Sequence, residues 1–554
     1  MRTGRVSPVV LMLAVLPVQL AGQAPADAAL QVDRIFARWN SVDSPGCAVG
    51  VAQHGLTVLS RAYGMADLEH DIPNTPATIF EGGSVSKQFT AAAVILLALD
   101  GKLSVDDDVR KYVPEVPDYG TTITLRHMMN HTSGLRDWGS VAGISGWGRQ
   151  NRTHTHAHVL DIVSRQSALN FEPGHEYSYS NTGYNLLAIV VGRVSGISFA
   201  EFSKQRIFEP LGMTNTQWRD DYTRIVKGRS TAYSVRDENI AIMRPIENVY
   251  GNGGILSTVG DFLIWNEALT DGRLGGPEFV RMMHDQGTLN DGRQIAYASG
   301  LQLRPFAGVP SITHTGSTSG YRAFLGRYPE QGLSVAMLCN ASNVSTGATG
   351  GQIARIFLGN AAEDQVTTGG GLTLSATDLS QKAGLYRDAR TGEPLRLVVR
   401  GERLLRASNV SGGGTPLVAL SPTEFRAGLG NQRLIFHAAS GGGRPSIRVP
   451  SVNSDERLYE PVDEFEPTQS DLREYEGEYF SYDAETTFTL VVEDGELVAR
   501  RRPNWKVTLS PSYHDAFDAP RLGLIRFRRD DNGRVVEFSL RQARVYDMRF
   551  GRVN

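Results

Sequence analysis

Two residue types that together can perform nucleophilic catalysis, Ser84 and Lys87, lie three positions apart. They begin the segment SVSKQFTAAAVILLALDGKL, whose alanines and leucines favour a helix that ends at Gly101. Residues three apart share a helical face, and a helix N-terminus directs free N–H groups and a positive dipole toward such a serine. The lysine can accept the hydroxyl proton or keep a neighbouring base deprotonated. An ordinary helix start with an exposed lysine fits the same pattern.

Tyr179 and Asn181, in the segment EYSYSNTGYN, are a second pair with chemical potential. A turn at Pro173-Gly174 precedes them and residues 184–191 are predicted to be helical, so both side chains could line one side of a loop or short strand. A phenol beside a lysine ammonium ionises more easily than its reference pKa of about 10 implies, which would make Tyr179 a base. Taken alone, a tyrosine in a turn fits equally well.

A third group, His314-Thr315-Gly316-Ser317, lies on the first of three strand-like runs, PSITHTG, YRAFLGRYP and GLSVAMLCNAS, which predict an antiparallel meander. The N–H of Ser317 could pair with that of Ser84 to form an oxyanion hole for acyl transfer. Gly316 would let a substrate backbone approach closely. A simple turn at the end of a strand is the alternative interpretation.

The order Ser-x-x-Lys, Tyr-x-Asn, His-Thr-Gly resembles the penicillin-recognising serine hydrolases: class C-type β-lactamases, DD-peptidases, D-aminopeptidases and related esterases. The segments MNHTSGL (129–135), IFEPLGM (207–213) and GGILST (253–258) are also similar to stretches of this family. The resemblance covers roughly residues 33–360. It implies an α+β catalytic domain in which helices flank an antiparallel sheet.

The resemblance also implies roles for individual residues. Ser84 would be the nucleophile that forms an acyl-enzyme, and Lys87 and Tyr179 would share the role of base. Asn181 would hydrogen bond to the substrate amide. His314 stands where many β-lactamases have lysine, which puts efficient penicillin hydrolysis in doubt. The remaining predicted contacts along the same edge are Thr315, Gly316, Ser317 and Thr318.

The chain divides into regions by composition. Residues 1–24 combine two arginines, an apolar run and small residues, the order typical of a secretory signal peptide, so we expect export to the periplasm or medium. The catalytic domain is assigned to residues 25–362, where helical and strand-like runs alternate and the helix candidate TGGQIARIFLGNAA comes last. A polar, Gly/Thr-rich linker is predicted at 363–376.

The region after the linker contains short alternating strands and repeats itself. Asp378-Leu379, Gly384, Tyr386 and Leu397 recur 93 residues later as Asp471-Leu472, Gly477, Tyr479 and Leu490. Such a duplication, in units of this size, predicts two small antiparallel β-barrel domains, at 377–462 and 463–554. The segment 463–470 connects the two copies.

A catalytic domain followed by two similar barrels resembles the D-aminopeptidase architecture, and the similarity extends to FRRDD (527–531). In that family a loop from the last barrel reaches the active site and favours short substrates with a free amine. We therefore expect hydrolysis of amide bonds next to D-amino acids. The alternatives are a carboxylesterase, a DD-carboxypeptidase or weak β-lactamase using the same site, and a non-catalytic penicillin-binding-type sensor or binding protein.

Composition limits the partners. The chain carries 56 Lys and Arg against 59 Asp and Glu, a formal net charge of −3 in 554 residues, which does not favour nucleic acid or anionic lipid. No second apolar stretch is long enough to span a membrane, so no stable membrane insertion is expected after signal cleavage. A small peptide, amide or ester is the expected substrate, and the oligomeric state stays open.

No metal or other cofactor is expected. His154, His156 and His158 alternate at a polar helix start without cysteine nearby, which favours a helix start over a metal site. The two cysteines, Cys47 and Cys339, lie in strand-like runs that the family resemblance makes neighbours in the sheet. Buried free thiols are the expectation, because directly paired strands are awkward for disulfide geometry.

Overall fold

Two strands that are apolar along most of their length, β1 (Cys47–Gln53) and β13 (Leu333–Cys339), lie side by side in a six-stranded antiparallel sheet. In the computed structural model, residues 26–362, 371–407, 413–428, 432–439, 443–451 and 453–553 are described. Alternate residues of both strands pack into hydrophobic clusters on opposite faces of the sheet. Burial on both faces explains why these strands lack the polar alternation of a half-exposed sheet. The predicted leader, 1–24, and residues 363–370 of the predicted linker lie outside the described residues.

The sheet has the order β10-β11-β12-β13-β1-β2, so the chain's first strand pairs with a late one inside the sheet. The strands of the late meander are β11 (Ile312–Thr318), β12 (Tyr321–Tyr328) and β13, as predicted. The other strands of this part are β2 (Leu56–Tyr63), β3 (Met65–Asp67), β4 (Ile72–Pro73), β5 (Phe80–Glu81), β6 (Gln217–Trp218), β7 (Tyr233–Arg236), β8 (Asn239–Ile242), β9 (Ile255–Ser257) and β10 (Gln302–Leu303).

Helices cover both faces of the sheet. Helices α1 (Ala26–Phe36) and α11 (Thr346–Leu358) pack on one face, and α9 (Val259–Asp271) packs on the other in front of α2 (Ser86–Leu99) and α6 (Asn181–Ser195). The remaining helices are α3 (Leu125–Met129), α4 (Trp138–Ser145), α5 (His156–Ser164), α7 (Phe199–Ser203), α8 (Glu209–Leu211) and α10 (Gly276–His284). A π-helical segment, Lys204–Phe208, joins α7 to α8.

Helix α2 carries the predicted Ser-x-x-Lys pair and runs through the interior. Its residues from Ser86 to Leu97 are buried, because alanines allow close approach and leucines fill the space between neighbours. It ends at Leu99, two residues before Gly101, which has φ +70° and terminates it as predicted. A one-turn 3-10 helix, Gly83–Val85, leads into it.

The duplicated region forms two closed eight-stranded antiparallel barrels, which confirms the predicted fold class. The first comprises α12 (Ala376–Ser380), β14 (Gly384–Asp388), β15 (Pro394–Arg400), β16 (Arg403–Ala407), β17 (Gly414–Ala419), β18 (Glu424–Ala427), β19 (Arg433–His437), β20 (Ser446–Val449) and β21 (Arg457–Pro461). The second comprises α13 (Gln469–Arg473), β22 (Gly477–Ser481), β23 (Thr486–Glu493), β24 (Glu496–Arg501), β25 (Trp505–Pro511), β26 (Ala516–Ala519), β27 (Gly523–Arg529), β28 (Val535–Gln542) and β29 (Val545–Val553).

The repeated residues occupy equivalent positions in the two barrels. Tyr386 and Tyr479 are both fully buried, and each hydroxyl donates to the backbone carbonyl four residues before it, at 2.8 and 3.0 Å. Gly384 and Gly477 begin the first strand of each barrel with positive φ. The repeat therefore preserves a glycine at the start of the first strand and a buried, hydrogen-bonded tyrosine in each barrel.

The second barrel packs directly against the catalytic part. Its core side chains belong to the same hydrophobic cluster as α2 and α6, whereas the first barrel has a cluster of its own. The buried Arg136 side chain forms an ion pair with Asp483 and donates to the Asp547 carbonyl at 2.6 Å. These contacts hold the β28–β29 hairpin close to the N-terminus of α6.

The expectation of free thiols is wrong: Cys47 and Cys339 form a disulfide. The two residues are directly opposed partners in β1 and β13, with Cα atoms 3.9 Å apart. Closely spaced opposed positions of an antiparallel pair bring the two Cβ atoms together, so paired strands allow the bond here.

No single helix among the described residues is long and apolar enough to cross a membrane; only α6 taken with Phe199–Leu211, bent by 83° between them, reaches the required length and composition.

Candidate active site

The first turn of α2 brings the predicted serine and lysine together. Ser84 lies in the 3-10 turn, and Nζ of Lys87 is 3.3 Å from its Oγ. Gly83 makes the turn possible with φ +51°, a conformation that other residues rarely adopt. Lys87 itself is fully buried, so the alternative of an exposed lysine at an ordinary helix start does not hold.

Lys87 has two further partners, both oxygens. Its Nζ lies 2.9 Å from Oδ1 of Asn181 and 2.7 Å from the carbonyl oxygen of Asn252. A neutral amine has two N–H donors and one lone pair. When both donors are directed to these acceptors, the lone pair faces Ser84 Oγ, the orientation that proton abstraction requires.

The surroundings favour the neutral amine. Burial lowers the pKa of Lys87 well below its ordinary value, and the positive charges of Arg544 and Arg149 lower it further. Asp137 acts in the opposite direction but does not cancel the effect. Lys87 is therefore suited to act as a general base.

Tyr179 differs from the expectation of an easily ionised phenol. It is adjacent to both catalytic candidates: its side chain interacts with Ser84, and Nζ of Lys87 lies 4.7 Å from its ring centroid. Burial nevertheless raises the pKa of Tyr179 well above its ordinary value of 10.0, because the loss of solvation outweighs the interaction with Ser84. The phenol stays protonated and is suited to donate a proton rather than to accept one.

Asn181 is the first residue of α6 and not part of a loop. Its backbone N–H donates to Oδ2 of the buried Asp137 at 2.8 Å, while Oδ1 of Asp137 accepts the N–H of Ser140 and so caps α4. One carboxylate thus connects the starts of two helices. The Asn181 side chain is held beside Lys87 as a consequence.

A directed chain of hydrogen bonds connects Ser180 to His314. The Ser180 N–H donates to Nδ1 of His131, so Nε2 of His131 carries the proton that points at the Tyr297 hydroxyl, 3.2 Å away. The Tyr297 hydroxyl lies 2.9 Å from Nε2 of His314, whose Nδ1 donates to the Thr315 carbonyl at 2.7 Å. Each donor meets an acceptor only if both imidazoles are neutral.

The ionisation of His314 agrees with this chain. Burial lowers the pKa of His314 to about 3, and any positive charge on Lys87 acts in the same direction. His314 is therefore neutral at physiological pH, and both ring nitrogens bond to the protein. It has no N–H left to offer a substrate anion.

Strand β11 runs past the turn Gly83–Val85 at its residues Gly316 and Ser317. A Cβ on Gly83 would lie 2.7 Å from the Ser317 nitrogen, so the Ser317 N–H is adjacent to the turn as predicted for an oxyanion hole. A Cβ on Gly316 would lie 2.0 Å from the Gly82 carbonyl oxygen. Glycine is required at 316 because the strand packs directly on the turn that contains Ser84.

These residues surround a cavity of about 320 Å³, which we call the active-site cavity. Ser84, Tyr179, Asn181, His314, Thr315, Ser317 and Thr318, all predicted from the sequence, line it. Lys87 lies behind Ser84, and Gly316 faces Gly82. The structure therefore brings the three separated motifs to one place.

Sequence reasoning missed several contributors. Asn252, Arg149, Gln302 and Arg544 also line the cavity, and Tyr297 supports it from behind. Two contributors could have been found from the family-like segments, because GGILST directly follows Asn252 and HTSGL begins with His131. Arg544 and Tyr297 carried none, because only folding brings them near the serine.

The three alternating histidines near residue 156 serve the local structure. Nε2 of His154 bonds to the Trp147 carbonyl at 2.7 Å, and Nε2 of His156 to the Tyr250 carbonyl at 3.0 Å. His158 closes the capping box at the start of α5. Their spacing is explained by helix capping and packing.

The chain is similar in sequence to proteins of known family. The family model named Beta-lactamase matches residues 32–357. Penicillin-binding protein 4* of Bacillus subtilis (strain 168) is 30% identical over 311 residues, 52% of this chain and 66% of that protein. D-aminopeptidases of Gluconobacter oxydans (strain 621H) and Brucella anthropi are 27% and 25% identical over 387 and 431 residues. These matches cover 69% and 74% of this chain, and 72% and 79% of the two enzymes.

Among solved structures, the octameric penicillin-binding protein homologue from Pyrococcus abyssi has the same fold. It superposes with a TM-score of 0.55 at 23% identity, covering 78% of this chain and 99% of that one. The match with the Brucella enzyme is longer than the region of the family model, so it continues into the barrels.

Proposed function

Because this chain belongs to the Beta-lactamase family and is a serine hydrolase, we propose that it cleaves amide bonds next to D-amino acid residues through an acyl-enzyme on Ser84. The observation that carries this proposal is the contact between the Ser84 hydroxyl and a buried lysine of lowered pKa. The D-aminopeptidase relatives, matched over most of their length, support the substrate class. A cavity of about 320 Å³ suits a short peptide or amide.

In the proposed acylation, Lys87 Nζ takes the proton from Ser84 Oγ, which attacks the carbonyl carbon of the scissile amide. The oxygens of Asn181 and Asn252 keep the amine oriented during the transfer. The carbonyl oxygen gains negative charge, which the N–H groups of Ser84 and Ser317 would stabilise.

The carbon–nitrogen bond then breaks, and the leaving nitrogen takes a proton from the Tyr179 hydroxyl. The ammonium of Lys87 returns the proton it took from the serine to the phenolate, so no net charge remains. In deacylation, water adds to the ester carbonyl of the acyl-enzyme and gives a proton to Lys87. The bond between the carbonyl carbon and Ser84 Oγ then breaks, the Lys87 ammonium returns its proton to Oγ, and the acid is released. The raised pKa of Tyr179 keeps it protonated, so that it has a proton to supply, and the lowered pKa of Lys87 keeps it neutral, so that it can accept one.

The test is a substrate panel with matched stereochemistry. Purified protein is assayed with D-Ala- and L-Ala-p-nitroanilide, N-acetyl-D-Ala-D-Ala, nitrocefin and a short p-nitrophenyl ester, with Ser84→Ala as the control. We expect Ser84-dependent turnover of at least one D-amide, a preference for D over L, and a covalent adduct at Ser84 by mass spectrometry.

Other outcomes would identify the alternative functions. Turnover confined to the ester would contradict the D-amide proposal and indicate a carboxylesterase. Efficient nitrocefin hydrolysis would indicate a β-lactamase. An adduct that forms with penicillin but never turns over any substrate would indicate a binding or sensor protein.

We also propose that the protein is exported. The disulfide between Cys47 and Cys339 supports this, because such bonds persist mainly in oxidising compartments. Expression with residues 1–24 intact, followed by fractionation and N-terminal sequencing, tests it. Retention of an uncleaved chain in the cytoplasm would contradict export.

A further inference from the structure

The charged groups that line the active-site cavity are all of one sign. Among the described residues that line it, Arg149 and Arg544 are cations and none is a carboxylate. A substrate ammonium would therefore meet two guanidinium groups and no counter-charge at the cavity wall. A substrate carboxylate would instead be attracted by both guanidinium groups.

The two arginines are not equivalent. Arg149 is bound to Glu247, with its Nε 2.8 Å from one carboxylate oxygen and its Nη2 bonded to the other. Its charge is paired and its main donors are used. The imidazole N–H of His314, which also lines the cavity, is directed to a backbone carbonyl.

Arg544 has donors available. It lies in the turn between β28 and β29 of the second barrel, and its guanidinium carbon is 4.8 Å from the ring centroid of Tyr179. Its Nη1 forms an ion pair with Oδ2 of Asp137 at 3.8 Å, which is beyond hydrogen-bonding distance, and the Asp137 oxygens already accept the N–H groups of Asn181 and Ser140. Within the described part of the chain, the Arg544 side chain donates no hydrogen bond, and it is 40% exposed.

The backbone of Arg544 is held by hydrogen bonds. Its carbonyl oxygen accepts hydrogen bonds from Nδ2 of Asn170 at 3.0 Å and from the N–H of Asp137 at 3.3 Å. Oδ1 of the same asparagine accepts the N–H of Tyr546 at 2.9 Å. The second barrel thus presents a positioned guanidinium with unused donors to the cavity, an arrangement suited to binding a carboxylate.

We propose that Arg544 is a specificity-determining residue that binds a carboxylate of the substrate, so that this serine hydrolase prefers anionic substrates to those with a free amine. The reaction at Ser84 rests on the function proposed above, whereas the charge preference depends only on the cavity. In this proposal the second barrel determines which substrate charge is preferred, while the residues of the catalytic domain perform the reaction.

The test compares substrates that differ only in charge. The first pair is N-acetyl-D-Ala-D-Ala and its C-terminal amide, and the second is mono-p-nitrophenyl adipate and p-nitrophenyl hexanoate. The two pairs place the carboxylate on the leaving side and on the acyl side. For wild-type protein we expect kcat/KM to favour the anion by about 10- to 100-fold in at least one pair, the effect of one charge-assisted hydrogen bond.

Arg544→Ala should abolish this ratio, Arg544→Lys should retain part of it, and Arg544→Glu should reverse it. Arg549→Ala, which removes an exposed arginine of the same hairpin that pairs with Asp547, is the matched control and should leave the ratio unchanged. The ratio is the readout because a change in the pKa of Lys87 alters both members of a pair equally. Circular dichroism and thermal unfolding establish that each variant is folded.

The outcomes separate this proposal from the preceding one. If only esters are hydrolysed, the D-amide proposal fails, and the adipate pair still measures the charge preference. Equal kcat/KM values within both pairs, or a preference that persists in Arg544→Ala, would overturn the role of Arg544. Faster cleavage of D-Ala-p-nitroanilide than of its N-succinyl derivative would also overturn it.

Discussion

Nζ of Lys87 lies 3.3 Å from Oγ of Ser84, and both N–H bonds of a neutral amine at this position are taken by asparagine oxygens. The lone pair is left facing the hydroxyl. A proton acceptor is therefore in place before any substrate arrives.

Replacing Lys87 with methionine, which keeps the length of the buried side chain, should lower kcat by about 10²–10⁴-fold, because general-base catalysis is lost. Steady-state kinetics with the best substrate of the panel measures the effect. Lys102→Met, at an exposed lysine after the same helix, is the control. A Lys87→Met variant with at least half of the wild-type kcat would refute the role of base.

The pH profile should report the lowered pKa of Lys87. Activity requires the neutral amine, so kcat/KM should rise with pH through a pKa well below the ordinary 10.5. The charges acting on Lys87 are Arg544 and Arg149, which lower its pKa, and Asp137, which raises it. Arg544→Ala removes one of the lowering charges, so the rising limb should move to higher pH. A limb that moves to lower pH, or one that moves equally in Arg549→Ala, would contradict this account.

Tyr297→Phe should destabilise the protein by about 1–3 kcal/mol, since it leaves nitrogens of two buried histidines without partners. Urea unfolding gives the change in free energy. Tyr119→Phe is the control, because the buried Tyr119 hydroxyl has no hydrogen-bond partner among the described residues and its loss should cost little. Equal effects of the two substitutions would mean that the hydrogen-bond chain to His314 contributes nothing to stability.

Replacing both Cys47 and Cys339 with serine should reduce stability by about 2–4 kcal/mol, the usual contribution of a disulfide. Thermal unfolding measures the loss, and reductant should lower the unfolding temperature of the wild-type protein but not that of the double variant. Iodoacetamide should label the denatured wild-type chain only after reduction. Labelling of unreduced, denatured protein would show that the thiols are free.

Asp483→Asn should cost about 3–5 kcal/mol, because it leaves the buried Arg136 charge without its partner. It should also loosen the β28–β29 hairpin and weaken the charge preference assigned to Arg544. The matched control is Glu485→Gln, two residues further along the chain. It breaks a 3.4 Å ion pair with Arg165, but Glu485 is 60% exposed, so the free energy of unfolding should fall by only about 0–1 kcal/mol. Limited proteolysis and the substrate ratios distinguish loosening of the hairpin from loss of stability alone.

Much of the fold was predictable from local patterns. The alanine-rich run before Gly101 became α2, the three apolar runs became β11 to β13, and the 93-residue repeat became two barrels with equivalent buried tyrosines. Helix propensity, strand alternation and internal repetition are properties of neighbouring or equally spaced residues. They need no knowledge of how distant segments pack.

The sequence failed where the outcome depended on burial. The pattern around Tyr179 suggested an ionisable phenol, yet burial outweighs the effect of the lysine and keeps the phenol protonated. The two cysteines on neighbouring strands were expected to remain free thiols, yet the register places them directly opposite each other and they form a disulfide. Desolvation and strand register are set by the whole packed structure.

By itself, the sequence determined which residues could carry the chemistry: Ser84 with Lys87, Tyr179 with Asn181, and the strand at His314. Only the tertiary structure decided which of them is neutral, which holds a proton, and which cations line the cavity. Arg544 illustrates the difference, because it is 460 residues from Ser84 in the chain but lines the same cavity. Composition and spacing specify local elements, whereas charge and protonation in a site depend on every group that folding brings within a few ångströms.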